Sequence, residues 1–88
     1  MKVEVLKSFE KDIPKIKDKN LAIKLNDLLT DLETYKSISE ISNLKKMIAK
    51  GSYYRARVGN FRLGFKIENN TIILIRFLDR KEIYRYFP

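Results

Sequence analysis

Apolar and polar positions along the chain change period several times, and each change marks an element. Residues 1–7 set Val3 and Val5 against Glu4, the period-two pattern of a short strand. Ser8 follows as a candidate helix cap. Pro14 would disrupt a helix running on from it, because proline lacks the amide hydrogen and crowds the preceding turn. Asp12 is the alternative cap, with Pro14 in the first turn, where the missing N–H is no loss. Residues 8–17 therefore read as helical but short or interrupted. From Asp18 to Tyr35, Leu21, Leu25, Leu28 and Leu32 recur at helical spacing and form one apolar stripe, with Asp18 as its cap. The stripe is expected to be core; the other reading is a helix that docks a partner. Lys36 to Asn43 mixes Ser, Ile and Glu and reads as a loop with at most one helical turn. Leu44 to Gly51, LKKMIAKG, reads as a basic connector.

Three strands are expected next. Tyr53–Val58 is the first. Gly59-Asn60 is a two-residue hairpin turn, Gly supplying the positive φ such turns require. Phe61–Glu68 alternates strictly, with Phe61, Leu63, Phe65 and Ile67 on one side and Arg62, Gly64, Lys66 and Glu68 on the other. Asn69-Asn70 is a second tight turn. Thr71–Leu78 is apolar on both faces, as a central strand should be. Asp79 to Pro88, DRKEIYRYFP, reads as a short tail. The expected fold is one α+β domain over residues 1–88, ordered β-α-α-β-β-β. It is an antiparallel sheet with two N-terminal helices packed on one face.

Composition narrows the chemistry. The 88 residues carry a net charge of +8 and contain no Cys and no His. Disulfides, thiolate and imidazole metal sites and Ser-His-Asp triads are thereby excluded. The longest apolar run is Ile72 to Ile75, far short of a membrane span. The N-terminal dozen residues show no apolar core of signal-peptide length, so a cytoplasmic location is expected. Residues 1–44 hold 8 Lys and 8 Asp+Glu, whereas residues 45–88 hold 11 Lys+Arg and 3 Asp+Glu. All six arginines (Arg55, Arg57, Arg62, Arg76, Arg80 and Arg85) follow residue 50. Arg offers a planar fork that grips phosphate with paired hydrogen bonds. An anion-binding face is the sharper reading, and a solubilising surface is the plainer one.

The hairpin register sharpens this point. A two-residue turn pairs Arg57 with Arg62, sets Arg55 opposite Gly64 and Tyr53 opposite Lys66, and collects all of them on the face away from the phenylalanines. Two arginines directly opposite each other cost up to about 1 kcal/mol, a cost that a ligand would explain. The alternative is that their guanidiniums splay into water or pair with Glu68, Asp79 or Glu82. Gly64 weakens its strand but leaves room for a backbone or a phosphate to approach. Arg76 does not fit: a simple register through Asn69-Asn70 sets it beside Leu63 on the apolar side, unless it lies past the edge of the core or a bulge turns it over.

Residues 44–86, with LKKM, YYRARVGNFRLGFKI, IILIRFLD and RKEIYRYF, resemble the RelE branch of the RelE/ParE toxin superfamily. The order of elements resembles that fold over nearly the whole chain. The resemblance implies the toxin of a toxin–antitoxin pair that cuts messenger RNA on the ribosome, through attack of a 2′-hydroxyl on the adjacent phosphate. It implies Arg55 and Arg57 as the basic pair of the second strand and Arg62 as holder of the scissile phosphate. Arg80 would stabilise charge and protonate the leaving group, and Tyr84 would position the hydroxyl or stack on a base. Tyr53, Lys66, Lys81, Arg85 and Tyr86 are expected to bind RNA. No metal and no cofactor is implied. Two positions depart from the family pattern: Arg replaces the Lys often found in the second-strand pair, and Asp79 stands where many members have His. A proton acceptor would then be Lys66, Lys81, Tyr84, Glu82 or Asp79, or belong to the ribosome.

The residues support part of this unaided, since arginines can meet a phosphate while Tyr53, Tyr54, Tyr84, Tyr86 and Phe87 offer stacking surfaces. Phe61, Phe65, Phe77 and Tyr54 also read as core, and Tyr84 reads either way. The alternatives are a ParE-like toxin acting on DNA gyrase without cutting RNA, and a non-catalytic RNA-binding module. The resemblance also implies an antitoxin partner, and the +8 charge implies that its contacting segment is acidic. That segment would lie over the basic face or displace the C-terminal tail.

Overall fold

The computed structural model describes residues 1–40, 44–46 and 51–88. Strand β1 (Lys2–Val5) leads into helix α1 (Lys7–Asp12), a 3-10 turn (Ile13–Lys15) and helix α2 (Lys19–Thr34). A second 3-10 turn (Ile38–Glu40) precedes strand β2 (Leu44–Lys46). Strands β3 (Tyr53–Val58), β4 (Phe61–Glu68) and β5 (Thr71–Asp79) follow, and helix α3 (Arg80–Tyr86) ends the chain. The five-stranded sheet runs β1-β5-β4-β3-β2.

Short-range chemistry sets most of these elements. Asp18 caps α2 by accepting from the amides of Asn20 and Leu21 at 2.8 and 3.3 Å. Gly59 has φ +59°, and Asn69 and Asn70 have φ +50° and +58°, so both hairpins close in two residues. The first hairpin then has the expected register, Val58 opposite Phe61, Arg57 opposite Arg62, Arg55 opposite Gly64 and Tyr53 opposite Lys66. Leu21, Leu25 and Leu32 of the α2 stripe are buried with Phe9 against Leu63, Phe65, Leu74 and Phe77, which makes one face of the sheet the core.

Three expectations need correction. The sheet is mixed, not antiparallel: β1 pairs with β5 in parallel, Val3 beside Ile72 and Val5 beside Leu74. The intervening helices bring the chain back across the sheet, as parallel neighbours require. The segment expected as a basic connector contains β2, paired antiparallel with β3, while residues 47–50 lie outside the described residues, as do 41–43. The expected tail is a third helix, started by Asp79, whose Oδ1 accepts from the Lys81 amide at 2.8 Å. Its buried Ile83 and Phe87 stand four residues apart, the spacing of one helix face.

Ser8 and Asp12 are not side-chain caps, and their real work explains Arg76. Strand β1 stops at Val5, opposite Leu74, so β5 runs on with an open edge. Helix α1 covers that edge. The Leu6 amide donates to the Leu74 carbonyl at 2.9 Å, Ser8 Oγ donates to the Ile75 carbonyl, and Asp12 Oδ2 accepts from the Phe77 amide at 2.9 Å. Register against β4 slips between Gly64 and Phe65, so Phe65 pairs with Leu74 and Gly64 with Arg76. The extra residue turns Arg76 away from Leu63 and off the core face. Its guanidinium then meets Asp12 with both prongs, Nε to Oδ2 at 2.9 Å and Nη2 to Oδ1 at 3.0 Å. The hydrogen bonds to Asp12 push the Arg76 pKa up, which favours the charged guanidinium.

Asp12 is almost wholly buried, so removing its partner or itself strands a charge. Asp12→Ala is expected to lower the unfolding free energy by about 3 kcal/mol, read from urea denaturation. Adding Arg76→Met should recover part of that loss, since no unpaired guanidinium then remains. Strictly additive losses would show that the two groups do not act as a pair.

Candidate functional site

The second face of the sheet carries the arginines, and α3 lies across its centre. Arg55 and Gly64 face each other there, with Arg76 next to Gly64 on β5. Phe87 fills the place where a Gly64 side chain would be: a Cβ built at Gly64 would stand 2.8 Å from the Phe87 ring. The gap expected to admit a phosphate is therefore occupied by the protein's own aromatic ring. Tyr53 packs edge-on against that ring, with centroids 5.8 Å apart, so it serves as a wall and not as a free stacking surface.

With Phe87 seated, α3 sets two tyrosines over two arginines. The Arg55 guanidinium carbon lies 4.5 Å from the Tyr84 ring centroid, and that of Arg76 lies 5.6 Å from Tyr86. Both distances suit cation–π attraction, worth about 0.5–2 kcal/mol according to burial. Arg55 is only 9% exposed and, among the described residues, its buried Nε has no hydrogen-bond partner. Buried donors are normally satisfied, so this one stands out. Tyr84 is 65% exposed and Tyr86 51%, so each ring keeps much of its surface in water.

The remaining predicted residues fall into three places. Arg57 and Arg62 stand directly opposite each other near the hairpin tip. Arg62 Nη1 donates to the carbonyls of Phe61 at 2.9 Å and Gly59 at 3.2 Å, which folds its side chain back along the turn. Arg80 begins α3 beside the same turn, its amide donating to the Asn60 carbonyl at 2.9 Å. Arg57, Arg62 and Arg80 therefore share one end of the face, while Arg55 and Tyr84 hold its centre. Lys66 lies toward the other end and pairs with Glu68 at 2.7 Å, a hydrogen bond that raises the Lys66 pKa. Lys81 and Arg85 are exposed on α3. Among the described residues, Arg57, Arg62 and Arg80 form no ion pair. Glu68 is engaged by Lys66 and Asp79 by the start of α3, so neither neutralises them.

Sequence reasoning missed the roles of Phe87, Ile83 and Asp12. The first two carried a signal in their four-residue spacing, whereas nothing local to Asp12 marks it as the partner of a residue on β5. Tyr54 stacks on Phe65 with centroids 5.8 Å apart and belongs to the core side, as expected. Phe61 likewise packs on Phe77 at 5.1 Å.

Residues 3–84 match the family model of the ParE toxin of type II toxin–antitoxin systems. The chain is 35% identical to toxin RelE3 of Methanocaldococcus jannaschii, over the whole of both chains. It is 31% identical to a second, putative toxin RelE1 of that organism, over 91% of this chain and 89% of the relative. Its fold matches the structure of a RelB–RelE antitoxin–toxin complex from Methanococcus jannaschii with a TM-score of 0.83 and 32% identity, covering 97% of this chain and 99% of the other. The YoeB dimer of Staphylococcus aureus shares the fold, with a TM-score of 0.70 at 20% identity, over 89% of this chain and 94% of the other. The chain belongs to the RelE/ParE superfamily of type II toxins.

The seat of Phe87 is testable. Gly64→Ala puts a methyl group into the ring, and overpacking of this kind costs about 1–3 kcal/mol. The Phe87 amide, bonded to the Ile83 carbonyl at 2.9 Å, should exchange its hydrogen faster in the variant while the amides of β4 and β5 beyond the site stay protected. Unchanged exchange at Phe87 would show that α3 is held by other contacts.

Proposed function

We propose that this toxin is an endoribonuclease that cuts messenger RNA on the ribosome by attack of a 2′-hydroxyl on the adjacent phosphate. The observation that carries the reading is Arg55: a buried guanidinium whose Nε has no partner among the described residues, beneath an exposed tyrosine, on a face where Glu68 and Asp79 are engaged elsewhere. A bent phosphodiester laid along this face would meet Arg55 at the centre and Arg57, Arg62 and Arg80 at the hairpin end. In the reaction the 2′-oxygen bonds to phosphorus, the bond to the 5′-oxygen breaks, one proton leaves the hydroxyl and one reaches the departing oxygen. Negative charge grows on the non-bridging oxygens meanwhile, and fixed guanidiniums placed in advance stabilise it without reorganising. Tyr84 would stack on an unpaired base and hold the nucleotide out of its helix.

Proton transfer has fewer carriers than the sequence suggested. Lys66 is held in its charged form by Glu68, which makes it a poor acceptor. Asp79 is committed to the start of α3. Lys81, Glu82 and Tyr84, or a group of the ribosome, are left for that role. A cognate antitoxin with an acidic contacting segment completes the reading. Its support is the net charge of +8 and the fold match to a toxin solved with its antitoxin.

In a translating system with a defined message, Arg62→Ala and Arg80→Ala should each slow cleavage by about 100-fold, the usual cost of one lost charge-stabilising donor. Both variants cutting as fast as the wild type would refute the site. Gyrase-dependent DNA damage without cut message would favour the ParE-like reading, which the name of the matching family model supports.

A further inference from the structure

A cleft of about 410 Å³ opens at the tip of the β3–β4 hairpin, between the first 3-10 turn and the start of α2. Lys15, Lys17 and Lys24 rim it, and Ile16, Leu21 and Phe61 give it apolar surface. The three lysines are exposed and, among the described residues, form no ion pair. Two carboxylates also border the cleft, Asp18 and Asp79, but each accepts backbone amides at the start of a helix. Their charge is thereby opposed by the positive helix end, and the lysines keep most of theirs for a ligand.

The cleft shares a wall with the arginine cluster. Gly59, Asn60 and Phe61 line it. The carbonyls of the same three residues hold Arg62 and the amide of Arg80. A strand whose phosphate rests on Arg62 or Arg80 therefore has the cleft beside it for its next nucleotides.

We propose that this cleft binds the single-stranded RNA flanking the cut, with Lys15, Lys17 and Lys24 on its phosphates and a base or ribose against Ile16, Leu21 and Phe61. The proposal rests on the nuclease reading and extends its substrate contact from the sheet face to the helical side of the molecule. Unpaired RNA fits better than a duplex, because only an unstacked nucleotide can offer its flat face to the apolar floor while its phosphate reaches the rim.

The test uses the full chain and a fluorescent single-stranded RNA of about twelve nucleotides, within the usual footprint of such grooves. The RNA is 2′-O-methylated, so it cannot be cut and binding is read apart from cleavage. Three variants are compared by anisotropy across a salt series. The first carries Lys15→Gln, Lys17→Gln and Lys24→Gln. The second carries Lys2→Gln, Lys7→Gln and Lys36→Gln, which removes the same charge elsewhere. The third is Arg62→Ala. The cleft variant should bind about tenfold more weakly and lose about 2 from the salt slope, as expected for three phosphate contacts on a single strand. The remote-lysine variant should lose little. Equal losses in the two lysine variants would overturn the cleft and leave only a general charge effect. A normal cleft variant beside a weakened Arg62→Ala would overturn it too, while leaving the nuclease reading in place. A weakened cleft variant beside a normal Arg62→Ala would support the cleft and remove Arg62 from the RNA path. No binding by the wild type would overturn the cleft, while the nuclease reading would still be decided by cleavage of a defined message in the translating system.

Discussion

The pair of buried Asp12 and half-buried Arg76 lets one strand serve two faces. Strand β5 is apolar on both sides up to Ile75, and an arginine follows at once. In strict alternation that arginine would enter the core beside Leu63. A one-residue slip in register moves it to the other face, where Asp12 reaches round the uncovered edge of β5 to meet it with two hydrogen bonds. The same carboxylate takes the Phe77 amide that β1, ending at Val5, leaves without a strand partner. One side chain therefore closes the sheet edge, fixes α1 against β5 and neutralises the charge displaced by the bulge. Removing Arg76 from the pair costs far more than breaking a surface ion pair would, because Asp12 is then left as a charge out of reach of water.

Everything on the second face follows from that slip. It puts Arg76 beside Gly64, and the absence of a Gly64 side chain gives Phe87 its seat. Phe87 and Ile83 anchor α3, and α3 carries Tyr84 to Arg55 and Tyr86 to Arg76. The helix has seven residues, too short to be stable alone, so its place depends on these contacts. The sheet is consequently buried on both sides at its centre, yet only the α1–α2 side is a conventional apolar core. The other side combines buried Ile83 and Phe87 with arginines and tyrosines, and Tyr84 and Tyr86 stay largely exposed.

What the sequence made legible was set by neighbours. The Leu stripe of α2, the Asp18 cap and the register of the β3–β4 hairpin rest on contacts within a few residues or across a two-residue turn. The pairing of Arg57 with Arg62 came with that register. Contacts between distant segments were not legible. The parallel pairing of β1 with β5 has no turn to fix it. Asp12 and Arg76 are 64 residues apart, and an Asp just before a proline has a sufficient local explanation as a cap. Gly64 reads as room for a backbone or a phosphate, yet the Phe87 ring takes that place, because nothing in its own strand tells which group approaches. The site residues were recognisable as types and not as an arrangement. Arg55 under Tyr84 needs α3 to exist, and the segment that forms it had been read as a tail.

A chain without histidine narrows what such a face can do chemically. Guanidiniums stay charged at any pH the protein meets, so they stabilise an anion but do not shuttle protons. Lys66, the basic side chain opposite Tyr53, is held in its charged form by Glu68. A face of this kind is better suited to stabilising an anion than to moving a proton. An RNA-cutting activity built this way gains most from a substrate already bent and from a proton acceptor supplied by the surroundings. Both conditions are met more readily by a message held in a larger assembly than by RNA free in solution. On the proposed nuclease reading, a preference for such a setting would follow from a cationic face on which Lys66 and Asp79 are already engaged and few groups are left to take a proton.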